Sequence, residues 1–197
     1  MALPDELQSI LIKNNGTITT AQANDAGFSN ERLRLLVKSG NLEQDMFGVY
    51  IAPDTFFDKM YAAQLRRPKI IYSHESALFL HDLSDRDPIE YTVTVPTRYN
   101  TERLKEDGFK TYTIKQELHE VGVTQLKTIF SNTIAVYNME RTICDTLRSR
   151  NRMEIAIVTD AMKMYVRRKD KHLGNLMEMA EMFKVTKLLR KYLEVLL

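Results

Sequence analysis

A chain of 197 residues with 44% hydrophobic content is long enough for one or two domains and apolar enough to bury a core. No apolar run reaches the ~18 to 20 residues that span a membrane, Asp5 and Glu6 stand where a secretory signal would carry positive charge, and Cys144 has no second cysteine for a disulfide or a thiolate metal set, so a cytoplasmic protein is expected. The formal charge of +2 is too small to mark a nucleic-acid binder by itself.

In chain order, Leu3, Leu7, Ile10 and Leu11 recur at helical spacing behind Pro4, a residue that a first helical turn tolerates. Asn14-Asn15-Gly16 breaks that helix. Thr19-Thr20-Ala21-Gln22 then has the form of a capping box, which starts a second helix near Thr20. Gly27 can take the left-handed conformation that stops it, and Ser29 can cap a third helix running to about Ser39. Leu42 to Pro53 reads as two short strands around Gly48. This order of pieces is that of a winged helix-turn-helix, which places a DNA-binding domain at residues 1–53.

On the third helix Leu33, Leu36 and Val37 share one side, leaving Glu31, Arg34, Leu35 and Lys38 outside with Arg32 at the flank. Arg34 and Lys38 are the natural DNA candidates, because a guanidinium pairs with guanine edges or phosphate and an ammonium acts as a point charge on phosphate. An isolated helix with these letters reads as a solvated face; the ordered pieces around it favour the DNA reading. The wing, Glu43-Gln44-Asp45, has the wrong charge for phosphate.

Residues 54–197 follow without a Gly/Ser-rich linker, Asp54 serving as the expected cap of a helix to about Leu65. Ser73 to His81 reads as another helix, followed by a polar break from Asp82 to Pro88. Tyr91 to Val95, Lys110 to Ile114, Val121 to Phe130 and Thr133 to Tyr137 carry the β-branched and aromatic pattern of strands, the last two joined at Ser131-Asn132, and predict a small mixed or antiparallel sheet. From Met139 onward the spacing predicts four helices. The expected fold class is therefore α+β: an N-terminal winged helix-turn-helix, then a mixed α/β domain with a small sheet and a C-terminal helical set. Met153, Met162, Met164, Met177, Met179 and Met182 suit either a core or an adaptable partner surface, the core being the commoner use.

Among the histidines His74, His81, His119 and His172, His74 and His81 share a helix, but seven residues apart, farther than two helical metal ligands stand. No metal site, cofactor or catalytic set is expected: the chain has no Gly-rich phosphate loop, nucleophile elbow or kinase-like set. A nuclease would need carboxylates around a divalent ion, and the nearest approach to one is Asp107 with Gln125 and Lys127, letters that a polar strand face also explains. Charge is distributed unevenly. Residues 1–52 hold four basic against six acidic side chains, residues 53–140 eleven against thirteen, and residues 141–197 thirteen against seven.

Several blocks together resemble the AbiEi family of antitoxins, which belong to bacterial type IV toxin-antitoxin and abortive-infection systems. They are Gly48-Val49-Tyr50-Ile51-Ala52-Pro53, Tyr72-Ser73-His74-Glu75-Ser76-Ala77-Leu78, Tyr91-Thr92-Val93-Thr94-Val95-Pro96, and Tyr137-Asn138-Met139-Glu140-Arg141-Thr142-Ile143-Cys144-Asp145. The resemblance implies a head that binds inverted repeats in its own promoter, two copies on double-stranded operator DNA, and represses the operon. It also implies a C-terminal domain that opposes a nucleotidyltransferase-like toxin without a stable complex. By position, Asn30, Arg32, Arg34 and Lys38 inherit the DNA-contact role. Relatives usually carry basic residues where this chain has its acidic wing. Further DNA affinity is expected from Arg148, Arg150, Arg152, Arg167, Arg168, Lys169 and Lys171, in the basic C-terminal segment. The alternatives are a winged-helix nuclease or other DNA-modifying enzyme, and a module that binds toxin through the Met-rich helices.

Overall fold

The structure, a computed structural model, describes residues 3–196. The chain is α+β and forms two compact units: the first runs to Pro68 and takes in Lys127–Ile134, while the second comprises Lys69–Leu126 and the chain from Ala135 onward. This division differs from a cut at Pro53, because the helix that follows Pro53 and a later loop both belong to the first unit.

In the first unit, α1 (Asp5–Lys13), β1 (Thr17–Thr19), α2 (Thr20–Asp25), α3 (Asn30–Lys38), β2 (Glu43–Met46), β3 (Val49–Ile51) and α4 (Lys59–Arg66) follow in order. The capping box forms as its letters predict: the Gln22 amide donates to Thr19 Oγ1 at 3.2 Å and the Thr19 amide donates to Gln22 Oε1 at 3.0 Å. Gly27 ends α2 at φ +81°, and the Ser29 hydroxyl accepts from the Arg32 amide to open α3. Leu7, Leu11, Ile18, Phe28, Leu33 and Leu36 close the core of the three helices, each such burial being worth about 1.5–3 kcal/mol. The strands form an antiparallel sheet in the order β1-β3-β2, with Ile18 opposite Tyr50 and Met46 opposite Val49. β1 has no counterpart among the two strands expected here.

The cap of α4 is Asp58 and not Asp54. Its Oδ1 accepts from the Tyr61 amide at 3.1 Å, while Oδ2 accepts from Thr128 Oγ1 at 2.5 Å and Asn132 Nδ2 at 2.8 Å. One buried carboxylate thus starts the helix and fastens residues 128–132 to the same unit.

The second unit is built on a mixed sheet in the order β6-β5-β4-β8-β7, from β4 (Ile71–Tyr72), β5 (Tyr91–Pro96), β6 (Phe109–Ile114), β7 (Val123–Lys127) and β8 (Thr133–Tyr137), of which Lys127, Thr133 and Ile134 count with the first unit. β4 runs antiparallel to β5, whereas β5–β6 and β4–β8 are parallel pairs. The helices are α5 (His74–Leu80), α6 (Glu102–Glu106), α7 (Gln116–His119), α8 (Met139–Arg148), α9 (Ile155–Arg167), α10 (Leu173–Met182) and α11 (Thr186–Leu196), with a short 3-10 turn at Arg150–Arg152. The four helices from Met139 onward pack around Ile143, Leu147, Val158, Met162, Tyr165, Leu176 and Leu189. Met162 is buried, and Met153, Met164, Met177 and Met179 pack against the same cluster; Met182 is the half-exposed member of the set.

Within this unit the Tyr137 to Asp145 block is a folding device. Asn138 caps α8 by accepting from the Arg141 amide, Glu140 accepts from the Tyr165 hydroxyl at 2.9 Å, and Arg141 donates through Nε to Asp145 at 2.8 Å. Arg141 also donates through one Nη to the carbonyls of Leu118 and Val121, and its guanidinium lies between the rings of Tyr137 and Phe183. Burial pushes the Cys144 thiol up to about 12, so the sulfur behaves as a small apolar group.

Candidate nucleic-acid interface

The first unit turns a polar helix face to solvent. With Leu33 and Leu36 buried, the 100° advance per residue puts Asn30, Arg34 and Lys38 outside, and all three are exposed. Arg34 lies 3.5 Å from Glu31, but both side chains are more than two-thirds exposed, so the pair is a weak surface contact that can yield to a phosphate. Arg32 has a different local role, since its guanidinium sits 4.8 Å above the Phe28 ring at the turn between α2 and α3. Leu35 is half-exposed between Arg34 and Lys38 and offers apolar contact on the same face.

The turn between β2 and β3 carries Phe47, 72% exposed, followed by Gly48 at φ +72°. The side chains of Glu43, Gln44 and Asp45 are exposed beside it, as the acidic letters predict. What sequence order concealed is Arg66. From the last turn of α4 its guanidinium comes 5.3 Å from the Phe47 ring centroid and lines the space next to Gly48. The first unit as a whole holds eight basic and eight acidic residues, because α4 and Lys127 add positive charge that residues 1–52 lack. The only sequence signal for this was the Arg66-Arg67 pair ahead of Pro68.

The basic residues of the second unit divide into groups. Arg148 and Arg152 line one cleft together with Lys115, and Arg150 is exposed on the turn between them. Arg167 is exposed at the end of α9 and lines a different cleft. Arg168 is committed elsewhere: it grips Asp170 through two 2.8 Å contacts and donates to the His81 carbonyl at 3.0 Å. The ammonium of Lys171 donates to the Arg168 carbonyl, leaving Lys169 as the plainly exposed cation of that corner. The seven residues expected to add DNA affinity are therefore distributed over separate places, with Arg168 and Lys171 spent on structure.

The nuclease candidate does not assemble. Gln125 and Lys127 alternate onto one exposed face of β7, but Asp107 precedes β6, and β6 and β7 are the opposite edges of the sheet. Among the described residues no three His, Cys, Asp or Glu side chains gather as a metal set. His74 and His81 part company as well: His81 Nε2 contacts the Tyr137 carbonyl at 2.7 Å, while His74 is enclosed between Ser73 and Ser149. Burial holds the pKa of both below the ordinary histidine value, and for His74 the charges of Arg148 and Lys110 add to the effect. No described helix is long and apolar enough to cross a membrane.

Comparison with known proteins gives a fold and no family. No family model matches the chain, and no curated protein does. Among solved structures it is similar to the crystal structure of the Rv2827c protein from Mycobacterium tuberculosis, with a TM-score of 0.59 and 13% identity over 97% of this chain and 78% of that one. At that identity the likeness concerns the fold alone.

Proposed function

We propose that the first unit is a winged helix-turn-helix that reads operator DNA through α3, and that the chain is a transcriptional autorepressor and antitoxin of the AbiEi kind. The observation supporting the DNA reading is the outer face of α3, where Asn30, Arg34 and Lys38 stand exposed behind a capped turn and beside the β2–β3 pair. In this reading α3 enters the major groove, Arg34 meets a base edge or phosphate, Lys38 meets phosphate, and the β2–β3 turn contacts the flanking backbone. Arg148, Arg150, Arg152, Arg167 and Lys169 of the second unit add non-specific attraction. The antitoxin role rests on the sequence resemblance, and its natural counterpart is a nucleotidyltransferase-like toxin encoded beside this chain. Inverted repeats in the promoter would take two copies.

The test is a gel-shift titration of the promoter duplex with the full chain and with Arg34→Ala/Lys38→Ala. Loss of a base contact should weaken binding by ~1–3 kcal/mol, with a shallower salt dependence if a phosphate contact goes too. Unchanged affinity in the double variant would remove α3 from the interface. Protection of cells from the co-expressed toxin, measured separately, tests the antitoxin half.

A further inference from the structure

The second unit contains a built polar site that the DNA reading uses only for non-specific attraction. A cleft of about 550 Å³ opens beside the C-terminal end of α8, and its lining includes Tyr112, Lys115, Arg148, Ser149 and Arg152. Three of these are cations, and no carboxylate lines the cleft. Cavities of this size suit small ligands, whereas packed structural charge is normally matched by opposite charge. Arg148 meets Asp145 at 3.4 Å through one Nη, and Lys115 lies 3.8 Å from the exposed Glu117, so each is only loosely held. Arg152 lies with its guanidinium 4.3 Å above the Tyr112 ring and gives the Thr111 carbonyl one long contact of 3.4 Å. A guanidinium has five N–H donors, so Arg148 and Arg152 both keep donors for an anion.

Behind the cations is a chain of hydrogen bonds that ends in the cleft. Thr94 Oγ1 donates to Ser73 Oγ at 2.8 Å, Ser73 Oγ lies 3.0 Å from His74 Nδ1, and His74 Nε2 lies 2.9 Å from Ser149 Oγ. In the tautomer with the proton on Nε2, Ser73 donates to His74 Nδ1, Nε2 donates to Ser149, and the Ser149 hydroxyl proton is left for the cleft. His74 is neutral in this arrangement, as its burial and the neighbouring cations require. The arrangement is held at some conformational expense. His74 is fully buried at φ +47°, unusual for a residue with a side chain, and is stacked on Tyr112 with ring centroids 3.5 Å apart. The Tyr112 hydroxyl is itself buried, with Lys110 and Glu75 as its charged neighbours.

We propose that this cleft binds the phosphate group of a small phosphorylated molecule, with Arg148, Arg152 and Lys115 neutralising its charge and the hydroxyl of Ser149 donating to its oxygens. The shared chemistry is a phosphate oxyanion, which inorganic phosphate and a nucleotide both carry. The cleft is larger than a phosphate ion, which favours the nucleotide. Duplex DNA at α3 is a different ligand at a different unit, so the proposal stands independently of the operator reading.

The test is calorimetric titration of the full chain, in low-salt buffer free of other multivalent anions, with inorganic phosphate, with ATP, and with a promoter duplex. Saturable one-to-one binding of phosphate or ATP is expected, weakened at least tenfold in Arg152→Gln and in Ser149→Ala, and unchanged in Arg34→Ala/Lys38→Ala. Tighter binding of ATP than of phosphate would identify a nucleotide site; equal binding would identify a site for phosphate alone. Arg152→Gln changes an exposed side chain and keeps the test valid if Ser149→Ala melts early. Binding of neither small molecule, or binding that Arg152→Gln leaves intact, overturns the proposal. So does a loss of duplex affinity in Arg152→Gln with no small-molecule binding in the parent, because the cleft would then be part of a DNA surface.

Discussion

Arg141 makes the sharpest energetic prediction of the fold. Its side chain is fully buried, donates at 2.8 Å to Asp145, which is equally buried, and serves two backbone carbonyls at 3.0 and 2.8 Å. Arg141→Met keeps the aliphatic stem between Tyr137 and Phe183 but removes the charge and leaves Asp145 paired with Arg148 at 3.4 Å. Breaking a buried pair from one side costs about 3–5 kcal/mol, and the surviving Arg148 contact argues for the lower end, about 3 kcal/mol. Urea unfolding followed by near-ultraviolet circular dichroism suits the measurement, since the chain has nine tyrosines and no tryptophan. With a slope of about 2–3 kcal/mol/M the midpoint should fall by about 1–1.5 M. Burial already raises the Asp145 pKa against the pull of Arg141 and Arg148, and removing Arg141 raises it further. The folded state then holds a proton that the unfolded state releases, so the variant's stability falls as pH rises and its deficit should be smaller at pH 5 than at pH 7. Arg141→Met/Asp145→Leu should recover much of the loss by leaving no unpaired charge. A single-variant cost below about 1 kcal/mol, typical of a surface pair, would refute the argument.

Three further outcomes are expected. His74, His81 and His119 all have pKa values held down chiefly by burial, so the unfolded chain takes up protons first; stability should be complete above about pH 6.5 and decline as pH falls below it, as melting temperatures from pH 8 to 5 would show. His74→Asn, whose side chain tolerates the left-handed backbone, should flatten that slope. Gly122 sits at φ +75° where an added Cβ would come within 2.8 Å of Arg141 Cβ, so Gly122→Ala should destabilise the chain by more than about 1 kcal/mol in the same urea assay. If the β2–β3 turn touches operator phosphate through Arg66, Arg66→Ala should lower the salt slope of duplex binding by about one.

What the sequence made legible was mostly local chemistry. Thr19 and Gln22 carry their capping geometry within four residues, Gly27 and Ser29 mark the turn that they form, and the four helices after Met139 repeat their apolar spacing often enough to be read directly. Features that depend on a distant partner were hidden. β1 is three residues long and exists because Thr17 to Thr19 pair with Val49 to Ile51, and β4 is two residues set between β5 and β8. The cap of α4 fell on Asp58 because Thr128 and Asn132, about seventy residues later, fill its second oxygen. The phosphate cleft was hidden for the same reason. Ser73-His74 reads as a helix start, Arg148 to Arg152 as a basic run, and only the fold places His74 Nε2 against Ser149.

Charge along the chain and charge in space differ most in this protein. Counted along the chain, the last segment holds thirteen basic and seven acidic residues and looks like the source of attraction for DNA, with the head a repulsive partner. At physiological salt, however, exposed charges more than about 8 Å apart are largely screened, so a segment's net charge acts on a duplex only where its side chains reach the backbone. The side chains nearest to a duplex lying on α3 would be Arg34 and Lys38, and at the β2–β3 turn Arg66 stands over Phe47 beside the acidic strand. The turn that follows Glu43 and Asp45 thus carries a cation that sequence order places about twenty residues away. Arg168 and Lys171, conversely, count toward the basic total but donate their hydrogen bonds within the second unit. If contact and not net charge governs binding, exchanging Lys169 for Ala should leave operator affinity nearly unchanged, whereas the loss of Lys38 should not; equal effects would return the weight to the long-range field of the C-terminal segment.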